Sequence, residues 1–123
     1  MAWEILNISL AMSDTEIACE GGKAIATITV TGRTDDQKVT NHYTASLRDD
    51  HFMPDILWDS GQQAVGPGES VRQQFEVDIW CNKRCKVVGP AGSSHEKTAE
   101  LYAHVSGEER EGQSDNIPVT CAR

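Results

Sequence analysis

Four aspartates, Asp49, Asp50, Asp55 and Asp59, fall within "LRDDHFMPDILWDS" around a proline and several large apolar side chains. Clustered carboxylates are the chemistry of a hard divalent cation, and calcium takes roughly six to eight oxygens from carboxylates, carbonyls and water. The spacing serves that role badly. His51, Phe52 and Met53 sit between the acids, where liganding oxygens would be wanted, and Pro54 biases Met53 towards extended backbone. Ile56, Leu57 and Trp58 then carry Asp59 away along a short strand. Calcium at Asp49, Asp50 and Asp55 is the minor reading. The main one is a turn capped by aspartate side chains, with no ordered cation and no other cofactor.

Four cysteines, Cys19, Cys81, Cys85 and Cys121, are the second set that could do chemistry. An even count in a small domain favours disulfides and an oxidising, extracellular or periplasmic compartment. The competing reading is a four-thiolate zinc site. "CNKRC" has ligand-pair spacing once, but Cys19 and Cys121 stand alone, which favours disulfides.

Catalytic signatures are missing. The chain has no G-x-S-x-G, H-E-x-x-H, P-loop or dinucleotide fingerprint. Ser94 and His95 are adjacent, and adjacent side chains on extended chain point apart, so they do not make a nucleophile–base pair. His42 and His104 fall on outward faces of their strands and would be neighbours if those strands pair, but two histidines are an incomplete metal site. Trp80 and Tyr102 also alternate outward. Their flat rings suit stacking on a sugar, although cover for the sheet's own flank explains them as well. The chain is read as no enzyme.

Eleven basic against nineteen acidic residues give a net charge of −8. Such a surface repels nucleic acid and anionic membranes and leaves basic protein partners, or carbohydrate, in play. The acids concentrate in "GRTDDQK" and "SGEEREGQSD", as Asp35, Asp36, Glu108, Glu109, Glu111 and Asp115, with Arg110 partly neutralising the second loop. Charge runs are most often solvated faces; the functional reading is a partner-binding surface.

The elements that must position these residues alternate with a period of two almost throughout. "KVTNHYTASLR", "SVRQQFEVDIWC" and "AELYAHV" each place apolar residues on one face. Seven strands are expected, at about 3–12, 17–31, 38–48, 55–59, 70–81, 98–106 and 116–121. The alternation slips at Leu6–Asn7, the mark of a bulge. Gly, Pro, Ser and acid clusters separate the runs. The expectation is one all-β domain over 1–123, an immunoglobulin-like antiparallel sandwich of two sheets with Greek-key connections. Pro118 should make the last strand an edge. If strand directions alternate, one end collects the loops at 13–16, 49–54 and 82–97 with all four cysteines. The other end collects 32–37, 60–69 and 107–115 with the acids. "MAWEILNISL" has no basic start and no apolar run, so it does not read as a secretory signal.

"GPGESVRQQFEV", "AELYAHV" and "EGQSDNIPVTC", spanning Gly66 to Cys121, together resemble bacterial immunoglobulin-like and fibronectin-like modules, most of all the CARDB type. The resemblance implies a sandwich with a binding or spacer role and no catalytic residue; "CNKRC" is not part of its usual pattern. In an immunoglobulin-like order the first and last strands run side by side, which implies Cys19–Cys121 and leaves Cys81–Cys85. The function expected is a non-enzymatic binding or spacer module of an extracellular or periplasmic protein, acting through loops at one end. The alternatives are a calcium-dependent or carbohydrate-binding lectin-like domain and a cytoplasmic immunity or inhibitor protein with an acidic face.

Overall fold

The computed structural model describes residues 3–18, 21–35, 37–49, 55–81, 97–107 and 110–122. They form ten strands: β1 Trp3–Met12, β2 Glu16–Ala18, β3 Ala24–Thr34, β4 Asn41–Asp49, β5 Asp55–Asp59, β6 Gln63–Val65, β7 Ser70–Ile79, β8 Lys97–Gly107, β9 Glu111–Gln113 and β10 Ile117–Ala122. One sheet has the order β1-β3-β7; the other runs β2-β10-β8-β4-β5, with β6 also on β4 and β9 also on β8. This is the all-β, two-sheet sandwich expected from the alternation.

The alternation decides which faces meet. On β3, Ala24, Ala26, Ile28 and Val30 are buried, while the threonines between them face outward and are half-buried. Tyr43, Ala45 and Leu47 of β4 and Leu101, Ala103 and Val105 of β8 line the opposite sheet, with Val65 and Val119. Each large aliphatic side chain there contributes about 1.5–3 kcal/mol by leaving water. The slip near Leu6 is a bulge, with register shifting between Ile5 and Asn7 against β3.

Ten strands rather than seven arise from three interruptions. The first separates β2 from β3. Residues 16–18 do not open the second strand, as the sequence suggested; they form a strand of the other sheet, parallel to β10. Ser13 anchors the crossing, its N–H donating to Ile25 O (2.9 Å) and its Oγ accepting from Ile25 N (2.7 Å). Gly22 then closes a turn by donating to Ala18 O, so tightly that a Cβ there would lie 2.6 Å from Ala18 N and O.

The other two interruptions share one device. β5 and β6 lie end to end along β4, and β9 and β10 end to end along β8. At each joint a serine replaces a ladder bond. Ser60 N donates to Ala45 O, and Ser60 Oγ accepts from Ala45 N. Ser114 N donates to Ala103 O, and Ser114 Oγ accepts from Ala103 N. A hydroxyl accepting where a carbonyl would otherwise stand lets the chain kink without orphaning the neighbour's N–H. At the first joint, Gly61 takes a φ of 71°, as the kink requires.

β10 is not an edge over its whole length, contrary to the expectation from Pro118. It pairs with β8 from Ile117 to Cys121 and with β2 from Thr120 to Ala122. Thr120 N points to Thr15 O on the β2 side. Pro118, two residues earlier, directs its nitrogen the same way, beyond the reach of β2. Its missing donor costs β8 nothing.

Strand directions give the sandwich two ends. The β1–β2 crossing, the end of β4, the start of β5, the end of β7, the start of β8 and the end of β10 share one. The end of β3, the start of β4, the β6–β7 turn and the β8–β9 hairpin share the other.

Candidate functional site

At the second end, short hydrogen bonds lock the connections that carry acids. Thr34 N donates to Glu69 O (3.0 Å), joining the end of β3 to the start of β7, and Glu69 N closes the turn onto Gly66 O. Asn41, buried at the start of β4, donates from Nδ2 to Thr34 Oγ1 at 2.7 Å, which ties one sheet to the other. Gly107 N donates to Arg110 O (2.7 Å) and closes the β8–β9 hairpin. Asp35, Glu69, Arg110 and Glu111 are exposed around this frame. Asp115 is exposed too but lies beside the Ser114 kink, part-way along β8 rather than at the end. Asp36, Glu108 and Glu109 lie outside the described residues.

On the outer face of the second sheet, β8 sets His104 opposite Ser46 of β4 and Gln113 of β9. Its side chain is 13% exposed, and Nε2 is 3.9 Å from Glu111 Oε2. Nδ1 is buried without a hydrogen-bond partner. Burial, then the Arg48 guanidinium, lowers the His104 pKa from its ordinary 6.5, while Glu111 pulls the other way. Arg48 Nε donates to Ser46 Oγ (3.1 Å), and Ser46 Oγ donates to His104 O. The serine is thus committed to structure, and no nucleophile–base pair forms. His42 faces Ala64 instead of His104; the two histidines are not neighbours. His42 lines a shallow pocket of about 210 Å³ with Tyr43, Thr44, Gln62, Ser106 and Gly107, beside the hairpin. Burial pushes the Tyr43 phenol up to about 12, so it stays neutral at any ordinary pH.

The proposed sugar platform is not assembled. Trp80 follows β7 of one sheet and is 55% exposed, whereas Tyr102 belongs to β8 of the other and is only 6% exposed. A ring that buried offers no face to a ligand. Ser94 and His95 lie outside the described residues.

The aspartates are brought together only in part: of the three calcium candidates, Asp49 and Asp55 meet across the β4–β5 ladder. Asp49 is buried at the end of β4, with Asp55 as its backbone partner across the ladder. Asp59 pairs with Ser46, and its Oδ1 accepts from Gly61 N at 3.1 Å, which is the turn-capping role. Asp50 and the side chain of Asp55 lie outside the description. No three or more His, Cys, Asp or Glu among the described residues are grouped to hold a metal.

The cysteine pairing is corrected. Cys81 bonds to Cys121, with Cα atoms 5.7 Å apart. This rules out Cys19–Cys121, Cys81–Cys85 and a four-thiolate zinc centre. The first strand does not lie beside the last: β1 pairs with β3 in the other sheet, and the strand parallel to β10 is β2, where Cys121 sits opposite Ile17. Both residues point inward, each 2% exposed. The Cys121 sulfur is therefore aimed at the facing sheet, where Cys81 lies just past the end of β7, and not sideways at its neighbour. Cys19 and Cys85 lie outside the described residues.

Sequence reasoning missed the Asn41–Thr34 bond and the two serine clips. Their only sequence signals were a polar residue on an apolar face and the "DSG" and "QSD" triplets. It also passed over Ile56 and Leu57, which the structure leaves 58% and 43% exposed on the β5 edge.

No family model matches the chain, and no curated protein matches it. Among solved structures, the periplasmic chaperone SfaE superposes with a TM-score of 0.42 and 11% identity, covering 93% of this chain and 57% of that one. The chain thus corresponds to little more than half of that protein's length. The CARDB-type resemblance finds no support in these comparisons, and what is shown is the sandwich architecture.

Proposed function

We propose that the chain is a non-enzymatic binding module of an extracellular or periplasmic protein, which takes a basic protein partner at its acidic end. The observation that carries this reading is the hydrogen-bonded frame there. Thr34–Glu69, Asn41–Thr34 and Gly107–Arg110 bonds fix three connections around exposed Asp35, Glu69 and Glu111. Charge held on a rigid frame costs little ordering entropy on binding, which separates a recognition surface from a merely soluble one. The Cys81–Cys121 bond supports the oxidising compartment. Carbohydrate loses its support with the burial of Tyr102.

The test replaces Glu108, Glu109 and Glu111 with glutamine. Association with a basic protein retained by the immobilised chain should slow about tenfold at low salt, with a shallower dependence on ionic strength. Unchanged rates would return these loops to solvated surface.

A further inference from the structure

Several hydroxyls of this fold are committed to its frame. Ser13, Ser60 and Ser114 each accept a strand N–H, and Ser46 is held between Arg48 and the carbonyl of His104. Thr44 and Ser106 differ. They stand directly opposite each other across the β4–β8 ladder, half-buried on the outer face of the second sheet. Neither hydroxyl makes a hydrogen bond among the described residues. Both line the pocket of about 210 Å³, whose wall also includes His42 and Gln62. Gln62 follows the Gly61 kink, and its carboxamide is likewise uncommitted.

Size and charge choose the occupant. Pockets for drug-sized ligands and cofactors run to roughly 300–1,000 Å³, so this one fits a single side chain. The Thr44 and Ser106 hydroxyls and the Gln62 carboxamide oxygen can all accept hydrogen bonds. β9 sets Glu111 opposite Ser106, on the side away from Thr44, so a carboxylate continues the row Thr44–Ser106–Glu111. Directly opposed residues have Cβ atoms about 4.5–5.5 Å apart. The Glu111 side chain is 72% exposed, so its 3.9 Å contact with His104 leaves it open to a ligand. Acceptors beside a carboxylate suit a cation with several donors spread in a plane, which describes the guanidinium of arginine better than the point charge of lysine. Arg110, exposed at the hairpin, is the opposing charge.

We propose that this pocket seats an arginine side chain of the basic partner, its guanidinium donating to Thr44 and Ser106 and its charge met by Glu111. The inference rests on the acidic end being the partner-binding surface, and it names the anchor there. An arginine seated in a pocket slows dissociation, while exposed acids around it speed encounter.

The experiment titrates N-acetyl-arginine methylamide and its uncharged isostere, N-acetyl-citrulline methylamide, into the folded chain with amide resonances as the readout. The arginine compound should shift residues 42–44, 62, 106 and 107 at about 10 mM and bind about fivefold more tightly than the citrulline compound. Thr44→Val with Ser106→Ala should weaken it about tenfold and leave the rest of the spectrum folded. Glu111→Gln should erase the preference for arginine over citrulline, and Arg110→Gln should tighten arginine. Equal affinity for the two compounds, no shift by either at about 100 mM, shifts confined to other strands, or tighter binding of glucose than of the arginine compound would each overturn the proposal. If the Glu108, Glu109 and Glu111 variant slows association with a basic protein while the arginine compound fails to bind, the acidic end stands and the pocket falls. Unchanged association together with arginine binding in the pocket would mean the reverse.

Discussion

Among the described residues, a bond between the sheets crosses each end of the sandwich, and the two bonds are of different kinds. At one end a covalent bridge joins Cys81, past β7, to Cys121 of β10. At the other, buried Asn41 of β4 donates to Thr34 of β3. A crosslink restricts the unfolded chain as well as the folded one, whereas a hydrogen bond exchanges with water on unfolding and is worth little net. The covalent end can therefore hold the sheets together while the hydrogen-bonded end carries exposed charge.

Cutting the covalent end should have the largest effect. For a sequence separation of 40, the loop-entropy relation gives about 4 kcal/mol. Cys81→Ala with Cys121→Ala should lose about that much in urea denaturation, and a midpoint close to wild type would mean the bridge is incidental to stability. The opposite end should yield less. Asn41→Ala should cost about 1–2 kcal/mol. Combined with Thr34→Val in a double-mutant cycle, the coupling should come to about 1 kcal/mol; zero coupling would remove this bond from the comparison.

The smallest effect is pH dependence at the acidic end. The native His104 pKa is held below 6.5, first by burial and then by Arg48. The unfolded chain therefore binds more protons there than the native one, and stability rises with pH across that window. Conversely, stability should fall as pH drops through 6.5 towards the depressed native value, and level off below it. His104→Gln should flatten this contribution. Glu111→Gln should deepen it, because it removes the carboxylate that raises the native value. Denaturant midpoints between pH 7.5 and 5 check both, and a wild-type midpoint that rises on acidification would reverse the sign.

The sheet-forming runs and the two ends were legible because alternation and parity are local properties: each strand reports its own faces, and each loop reverses direction. Tyr43, Leu47, Leu101 and Val105 fall inside on that basis alone. What the alternation cannot report is the step between sheets. The crossing at Ser13 and the tight turn at Gly22 turn one apparent strand into two, and this moved the neighbour of Cys121 from Cys19 to Ile17. Burial on the outer face was equally hidden. Tyr102 alternates outward yet is buried, because outward describes a side-chain direction and not access to water. Pro118 gave a correct local statement, a missing donor, from which whole-strand edge status did not follow. Asp59, which the sequence carries away from the other aspartates, caps a turn through its bond from Gly61 N.

The Cys81–Cys121 bridge has a consequence for the chain under tension. If the two termini are pulled apart, everything between residues 81 and 121, which includes β8, β9 and β10, lies inside a closed covalent loop and bears no load. Complete unravelling with this bridge closed would then fall short of the contour with this bridge open by about 130–140 Å, taking an extended residue as roughly 3.3–3.6 Å over the separation of 40. Reduction would release that hidden length, so the bridge sets how far the module can stretch as well as how firmly it folds.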